Sequence, residues 1–501
     1  VSGGGGNRAA ADALAQVRAR GGDELTERLV HLDRVRRERE LRAGAGADRE
    51  LAPPDRDASI DADVVMAGGG LSLLVAAELA RLGLQVVVIE RARAGVAHRE
   101  WNASDAELRP LIDAGIGRET DLARWIVSRY ERGICRFHRG TPHVVRGALD
   151  VAIDAGPFLA DVRARCSERG VRFVDGASVD GVGAGPTAVR VAAGSLELTA
   201  RLFVDARGAS SPYASADLVC PTVGGVIRGL RRGDGPQEID PRTGEILVTI
   251  ADAAPGQPQE VWEAFPGRPG ETTVYLFTYE QAADAVRRGS SLVDLYARFF
   301  ATLPSYKHGD ATLMRPTFGY IPGWSRLEPG PRAPGPRIAL VGDAAARHSP
   351  LTMCGFGSMV RSFMPVAARL ARVAAAGAKA PRLGRYAKAK AEEEPVHAFT
   401  GALARMMASR TLGLALNDLL DSAFGVLAGM GNDAYVALLQ DRMSARDFTS
   451  FLRQTAKLQP SVYGQVMRAL GPRATARWAA HLATRLLIAR AGGADRGYAR
   501  D

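Results

Sequence analysis

Three glycine-and-acid segments, far apart in the chain, carry the first chemical signal. Gly68, Gly69 and Gly70 follow the apolar run Val64–Met66 and precede the helically spaced stretch Leu71–Leu82; Val86–Ile89 then ends at Glu90. A strand, glycine turn, helix and second strand in this order let the backbone approach a pyrophosphate. The helix N-terminus faces the phosphates, and the acid is left for ribose hydroxyls. The spacing predicts an adenine dinucleotide as ligand. Leu73 departs from the pattern, because a third glycine ordinarily stands there to allow close helix–strand packing. The second segment, Leu202–Gly208, is a strand running into Asp205 and a turn at Gly208. The third, Ala339–Ala345, ends a strand at Gly342–Asp343 and leads to His348-Ser349-Pro350. Asp343 could accept from a ribitol hydroxyl, with the next helix aiming N–H groups at phosphate or flavin oxygens. The competing role for these residues is structural: glycines for turns, aspartates for helix caps.

A second kind of chemistry needs a carboxyl group in apolar surroundings. Val261-Trp262-Glu263-Ala264-Phe265-Pro266 sets an acid in a β-type run. Desolvation would raise the pKa of Glu263 and make it a proton donor. Trp262 and Phe265 could shield it or present π faces to a cation, or could be ordinary core residues. Strand alternation puts Trp262 opposite Glu263, so both reach one pocket only if the strand bulges or ends there. Glu100, within Arg99-Glu100-Trp101-Asn102, is the alternative acid. Arg99 could offset cofactor charge or pair locally.

The elements that must position these groups read as an α/β chain. Residues 1–59 are an N-terminal helical extension and linker, with 1–10 disordered, 11–43 helical and 44–59 the linker. Residues 60–217 form the first part of a dinucleotide-binding domain. A polar helical segment is expected at about 101–134, and a strand, a helix at Pro157–Arg169 and another strand follow within 149–175. Residues 218–335 have β patterning and read as a substrate domain, with 271–280 a core strand. Residues 336–380 return to the cofactor domain, and 381–501 are a helical C-terminal region.

The formal charge of +10 raises the possibility of nucleic acid, but only five lysines occur, at 307, 379, 388, 390 and 457. The cations are spread along the chain with no nucleic-acid-binding motif, so no nucleic-acid partner is expected. The arginine-rich composition could simply reflect codon bias, and weak attraction to anionic lipid headgroups is the second reading of the charge. Cys135, Cys166, Cys220 and Cys354 form no CxxC pair, which argues against a metal site or a disulfide framework and suits a reducing cytosol. No apolar run is long enough to span a bilayer. The expected location is cytoplasmic, with peripheral attachment to the inner membrane face through basic helices in 382–501; a cap over the pocket is the other role for those helices. Oligomeric state is not legible.

The order and spacing of the three glycine segments resemble the FAD enzymes related to aromatic hydroxylases, geranylgeranyl reductases and lycopene cyclases. The resemblance implies a Rossmann-type FAD-binding fold with a β-sheet substrate domain and a helical C-terminal region. It assigns FAD contacts to Gly68, Gly69, Gly70, Glu90, Arg99, Asp205, Gly208, Gly342 and Asp343. Further motifs, WEAFP at 262–266, TTVYLFTY at 272–279 and SPLTMCGFGSM at 349–359, are similar to the lycopene cyclase family of green sulfur bacteria and cyanobacteria. They add Gly355, Phe356 and Gly357 to the cofactor set. Arg347 and His348 depart from that family's pattern. The resemblance covers about residue 60 to beyond 365. It implies non-redox cyclisation of an acyclic carotenoid such as lycopene by proton-initiated ring closure, with Glu263 or Glu100 as the acid. FAD would be active in its reduced form, with NAD(P)H as an external reductant rather than a resident cofactor. The alternatives are an FAD-dependent oxidoreductase or monooxygenase on another apolar metabolite, and a non-catalytic carotenoid-binding flavoprotein. A halogenase is set aside because no WxWxIP stretch is present.

Overall fold

The computed structural model describes residues 3–41, 48–55, 57–97, 99–214, 216–283, 291–325, 327, 335–346, 348–376, 397–410, 412–413 and 415–490. Arg347 and, after residue 376, residues 377–396, 411, 414 and 491–501 therefore lie outside the described residues. Along the chain come α1 (Gly3–Leu41), β1 (Arg49–Glu50), β2 (Ala62–Ala67), α2 (Leu73–Arg81), β3 (Val86–Glu90) and β4 (Glu100–Ala103). Two short helices follow, α3 (Arg109–Asp113) and α4 (Glu119–Trp125). Then come β5 (Ile126–Arg129), β6 (Arg132–Arg136), β7 (His143–Val145), β8 (Val151–Asp154), α5 (Ala155–Glu168), β9 (Arg172–Asp175), β10 (Gly181–Ala184), β11 (Val189–Ala193) and β12 (Leu196–Asp205). The second half holds β13 (Leu218–Leu230), β14 (Thr243–Val248), β15 (Glu260–Pro266), β16 (Glu271–Thr278), β17 (Glu280–Gln281), α6 (Leu292–Tyr306), β18 (Gly309–Gly323), β19 (Ile338–Leu340) and α7 (Gly355–Ala375). Six more helices lie between His397 and Arg490.

The first sheet has a parallel core in which β9, β3, β2 and β12 are neighbours in that order and β19 returns to pair with β12. Its strands are near-continuous runs of Val, Ile and Phe because both faces are covered. On one side α2, α5 and α7 bury Leu73, Phe158 and Phe363 against Val64, Met66 and Val204. This is the Rossmann-type FAD-binding fold, with a second β-rich region and a helical C-terminal region.

The second sheet runs β17, β13, β16, β15, β14, β6, β7, with β18 on the other side of β13. Alternation along β15 sorts its residues strictly. Trp262 and Ala264 face α1 and α6, where Trp262 packs on Phe299 and Tyr306. Val261 and Phe265 belong to the opposite core, shared with the C-terminal helices through Leu416, Leu420, Phe424 and Phe448. The C-terminal region is thus packed against the same face of this sheet that carries Glu263.

The structure differs from the sequence expectation in the N-terminal segment and the 101–134 stretch. The helix of the N-terminal segment begins at Gly3, so residues 3–10 are helical rather than disordered, although Gly22 with φ of 76° interrupts it. The linker is not free: β1 adds in parallel to β10, and Asp48 pairs with Arg207 at 2.7 Å. The stretch 101–134, expected to be helical, is so in part: it holds helical turns over Asp105–Leu108, α3 and α4, but it also contains β5 and reaches from β4 into β6. Backbone partners for β4 and β5 are supplied by β8, which local spacing does not reveal. Because β6 and β7 join the second sheet, that sheet recruits strands from before residue 218.

Candidate active site

The nucleotide end is built by the β2–α2 turn. Gly68 has φ of 107°, and a Cβ there would lie 2.4 Å from the carbonyl oxygen of Ala206. Only glycine lets β2 and the turn after β12 come this close. A Cβ on Gly70 would meet nothing within 4 Å, so the turn opens onto free space. The Ser72 hydroxyl donates to the Gly68 carbonyl at 3.0 Å and steadies the turn. Glu90 ends β3 beside it and accepts from the Gly69 N–H at 2.8 Å and the Ala92 N–H at 3.1 Å. Leu73, in place of a third glycine, is fully buried in the core beneath α2.

Asp205 corrects the sequence reading. Its carboxylate is fully buried and accepts from the Ser211 hydroxyl at 2.8 Å and from the backbone N–H and guanidinium of Arg207. These bonds occupy it, so Asp205 shapes the turn at Gly208 and presents no carboxylate to a ligand. Gly357 is not on the surface of the cavity described below. A Cβ there would meet Arg361 and Glu107, which are paired with each other, so this glycine makes room for an ion pair.

One cavity of about 370 Å³ joins eight of the remaining candidates, within the range of small-molecule sites. Gly208, Gly342, Asp343, Gly355 and Phe356 form one wall, Arg99 and Glu100 another, and Glu263 lies on the sheet side. Gly68, Gly69, Gly70 and Glu90 are not on its surface, but Leu71 and Ser72, which continue their turn, are. Gly342 has φ of 64°, and Ala346 and Met353 take up positive φ without being glycine. Such strained residues between β19 and α7 are held by the surrounding fold. Burial pushes the Asp343 carboxyl up, but His348, 3.4 Å away, and Arg99 outweigh it and hold the group below its ordinary range as an ionised acceptor. The buried Nε2 of His348 has no partner among the described residues. Phe356 stacks on Trp101 at 5.0 Å, closing the floor.

The two acids have different surroundings. Burial pushes the Glu100 carboxyl up, opposed by the Thr273 hydroxyl donating at 2.6 Å and by Arg315 at 3.5 Å. Glu263 has no hydrogen bond or ion pair among the described residues, and desolvation alone pushes it up to about 8. Its cross-strand neighbour is Tyr275, and Phe265, Phe277 and Cys220 complete an apolar chamber around it. Among the candidates, Glu263 is the carboxyl group that stays protonated near neutral pH while facing open space. Trp262 does not join it, because no bulge turns the strand at that point.

Sequence reasoning missed Tyr275, Thr273 and the β18 residues Thr317–Gly319, all of which the site uses. The β15–β16 hairpin signal around Gly267 and Gly270 could have found the first two, because it sets Glu263 opposite Tyr275. Nothing local pointed to β18.

An FAD-like group fits this arrangement. Gly70 offers open space for a nucleotide, Asp343 is an ionised acceptor beside the glycine turns of Gly208 and Gly342, and an enclosed space follows at Gly355 and Phe356. Among the described residues no group of His, Cys, Asp and Glu could hold a metal ion.

The class that fold and site define is the FAD-binding Rossmann-type fold. A sequence model described as "Lycopene cyclase protein" matches residues 63–233. No curated protein sequence matches the chain significantly. A geranylgeranyl bacteriochlorophyll reductase-like protein from Thermoplasma acidophilum superposes with a TM-score of 0.58 at 16% identity, covering 81% of this chain and 99% of that one. A flavoprotein/dehydrogenase from Cytophaga hutchinsonii gives 0.56 at 13%, covering 81% and 99%. The halogenase PltM, solved in complex with FAD, gives 0.53 at 13%, covering 86% and 96%. These likenesses establish the fold.

Proposed function

We propose that this chain is an FAD-dependent enzyme that transforms an apolar small molecule. The observation that carries the reading is the single cavity running from the cofactor glycines, Gly208, Gly342 and Gly355, into an apolar chamber of Phe265, Phe277 and Cys220. When bound, FAD would supply redox chemistry or charge stabilisation. Gly68–Gly70 and Glu90 would hold its nucleotide end, and Asp343 its ribityl chain. The fold relatives favour redox turnover as the first reading, an oxidoreductase or monooxygenase.

A specific feature supports the second reading, proton-initiated cyclisation of an acyclic carotenoid such as lycopene. An unpaired, neutral Glu263 in an apolar chamber suits protonation of an alkene better than hydride transfer, and the family match over 63–233 points the same way. The discriminating experiment is anaerobic incubation of the FAD-loaded protein, with and without prior reduction, with lycopene in membranes. Ring closure gives an isomer of unchanged mass. Redox turnover changes the product by two hydrogens, or by one oxygen once air is admitted. Binding without product supports a carrier. A protein that takes up no FAD on titration sinks all three readings.

We also propose that the substrate is collected from a membrane surface. No helix among the described residues is long and apolar enough to cross a bilayer. The C-terminal helices nevertheless expose Leu458, Tyr463, Met467 and Leu487, at 48–68% of full accessibility, on a basic segment with Arg453, Lys457 and Arg468. Flotation with anionic liposomes at low salt should bring the protein to the lipid fraction, and about 1 M salt should weaken the electrostatic part. Protein remaining wholly in the aqueous fraction would argue against attachment.

A further inference from the structure

Two neighbouring strands of the second sheet are closed along their length except at one place each. From Val261 to Pro266 on β15 every residue is buried but Glu263, and along β16, Glu271–Thr278, every residue is buried but Tyr275. The antiparallel register sets these two directly opposite each other. Side chains opposed in this way leave the sheet on one face, with their Cβ atoms about 4.5–5.5 Å apart. Both line the cavity, so the surface they keep open faces it. The same row crosses β13 at Gly224, which has no side chain, and reaches Thr317 on β18, also on the cavity wall.

The rows on either side are different. One sets Val261 beside Phe277 and Thr222, and the Thr222 hydroxyl donates to the Cys220 carbonyl at 3.3 Å. The other sets Phe265 beside Thr273, whose hydroxyl donates to Glu100 at 2.6 Å. The flanking hydroxyls are thus taken up within the protein. The Glu263 carboxyl and the Tyr275 hydroxyl have no hydrogen bond or ion pair among the described residues. Desolvation keeps both in their neutral, proton-bearing forms near neutral pH. An apolar ligand that expelled water from this chamber would leave two adjacent donors without an acceptor, which is unfavourable. A ligand with an oxygen at this point would satisfy them.

We propose that Glu263 and Tyr275 form a two-donor site for an oxygen acceptor, and that the substrate is an apolar molecule carrying a carbonyl group rather than a pure hydrocarbon. The inference rests on the reading of this cavity as the site of an apolar substrate, and it narrows the class of that substrate. A carbonyl oxygen has two lone pairs and can accept from both groups. Phe265, Phe277 and Cys220 would cover the rest of the molecule. Paired neutral donors in an apolar wall also stabilise negative charge that develops on such an oxygen. A hydrocarbon such as lycopene offers neither donor an acceptor.

The test is equilibrium titration with benzophenone and with diphenylmethane, which has a methylene in place of the carbonyl, on FAD-loaded protein and on apoprotein. Wild type should bind the ketone about tenfold to a hundredfold more tightly, the worth of two hydrogen bonds. Tyr275→Phe removes a hydroxyl that no described residue uses, so the fold should hold. It should weaken ketone binding by about tenfold and leave diphenylmethane binding unchanged. The infrared carbonyl stretch of bound benzophenone should lie below its value in hexane, and the variant should reverse part of that shift. Equal affinity of the wild type for the two probes, or equal loss of both in Tyr275→Phe, would overturn the oxygen site and leave a hydrocarbon substrate standing. Binding of neither probe by the wild type would overturn the apolar-substrate reading beneath it. A ketone preference in protein that takes up no FAD would sustain the oxygen site and overturn the flavin reading instead.

Discussion

Glu263→Gln should lower turnover of the apolar substrate by about 10²–10⁴-fold, the usual contribution of a general acid, while leaving FAD affinity unchanged. The reason lies in the surroundings of the carboxyl group. It projects from β15 into the chamber with no partner among the described residues, and its pKa is pushed up to about 8 by desolvation alone. Glutamine keeps the shape and removes the transferable proton. The pH dependence follows with a definite sign. Wild-type activity that needs the neutral acid should fall as pH rises through about 8, and this limb should vanish in the variant. Stability is linked to the same proton. In the unfolded chain the group titrates at about 4.3, so between there and about 8 the native state binds the extra proton. Its favourable contribution is fully present below the unfolded pKa and is lost as pH rises through the folded one. The variant, never charged at this position, should therefore lose less stability than wild type between pH 5 and 9 in urea unfolding. Near-normal turnover would transfer the role to Glu100, whose carboxyl is also pushed up by burial but is tied to Thr273 and Arg315.

The second large effect is expected at the nucleotide turn, where two neighbouring glycines should behave differently. Gly68→Ala forces a Cβ to within 2.4 Å of the Ala206 oxygen at φ of 107°. Backbone strain costs about 1–3 kcal/mol, and pushing β12's turn aside costs about 1–3 kcal/mol more. Thermal unfolding of the apoprotein should show the loss, and FAD binding should go with it. Gly70→Ala adds a methyl to open space, so apoprotein stability should stay within about 0.5 kcal/mol of wild type. FAD affinity should nevertheless fall by about tenfold, 1.4 kcal/mol, because the methyl takes volume meant for the cofactor. Equal FAD binding by Gly70→Ala and wild type would show that the nucleotide does not pass over this turn.

The β2–α2–β3 unit was legible in the sequence because its physics is local. An apolar run, a glycine turn, helical spacing and a terminal acid each follow from neighbours within about 30 residues. The sidedness of β15 was legible for the same reason: period-two alternation puts Trp262 and Glu263 on opposite faces, and the structure keeps them there. What spacing could not supply was partnership. Asp205 carries the acid-then-glycine pattern of a ligand contact, yet Arg207 and Ser211 occupy its carboxylate, and Asp48, 157 positions earlier, completes the cluster. The strands of 101–134 exist because β8 and β14 supply their hydrogen bonds from a distance. The sequence by itself determined which segments can bind a dinucleotide and which acid sits in an apolar strand, since those depend on residue type and short-range period. Only the tertiary structure decided that Glu263 lacks a charge partner among the described residues, that Tyr275 stands across from it, and that Asp48 reaches Arg207. Desolvation and pairing depend on which distant surfaces meet, and no local pattern encodes that.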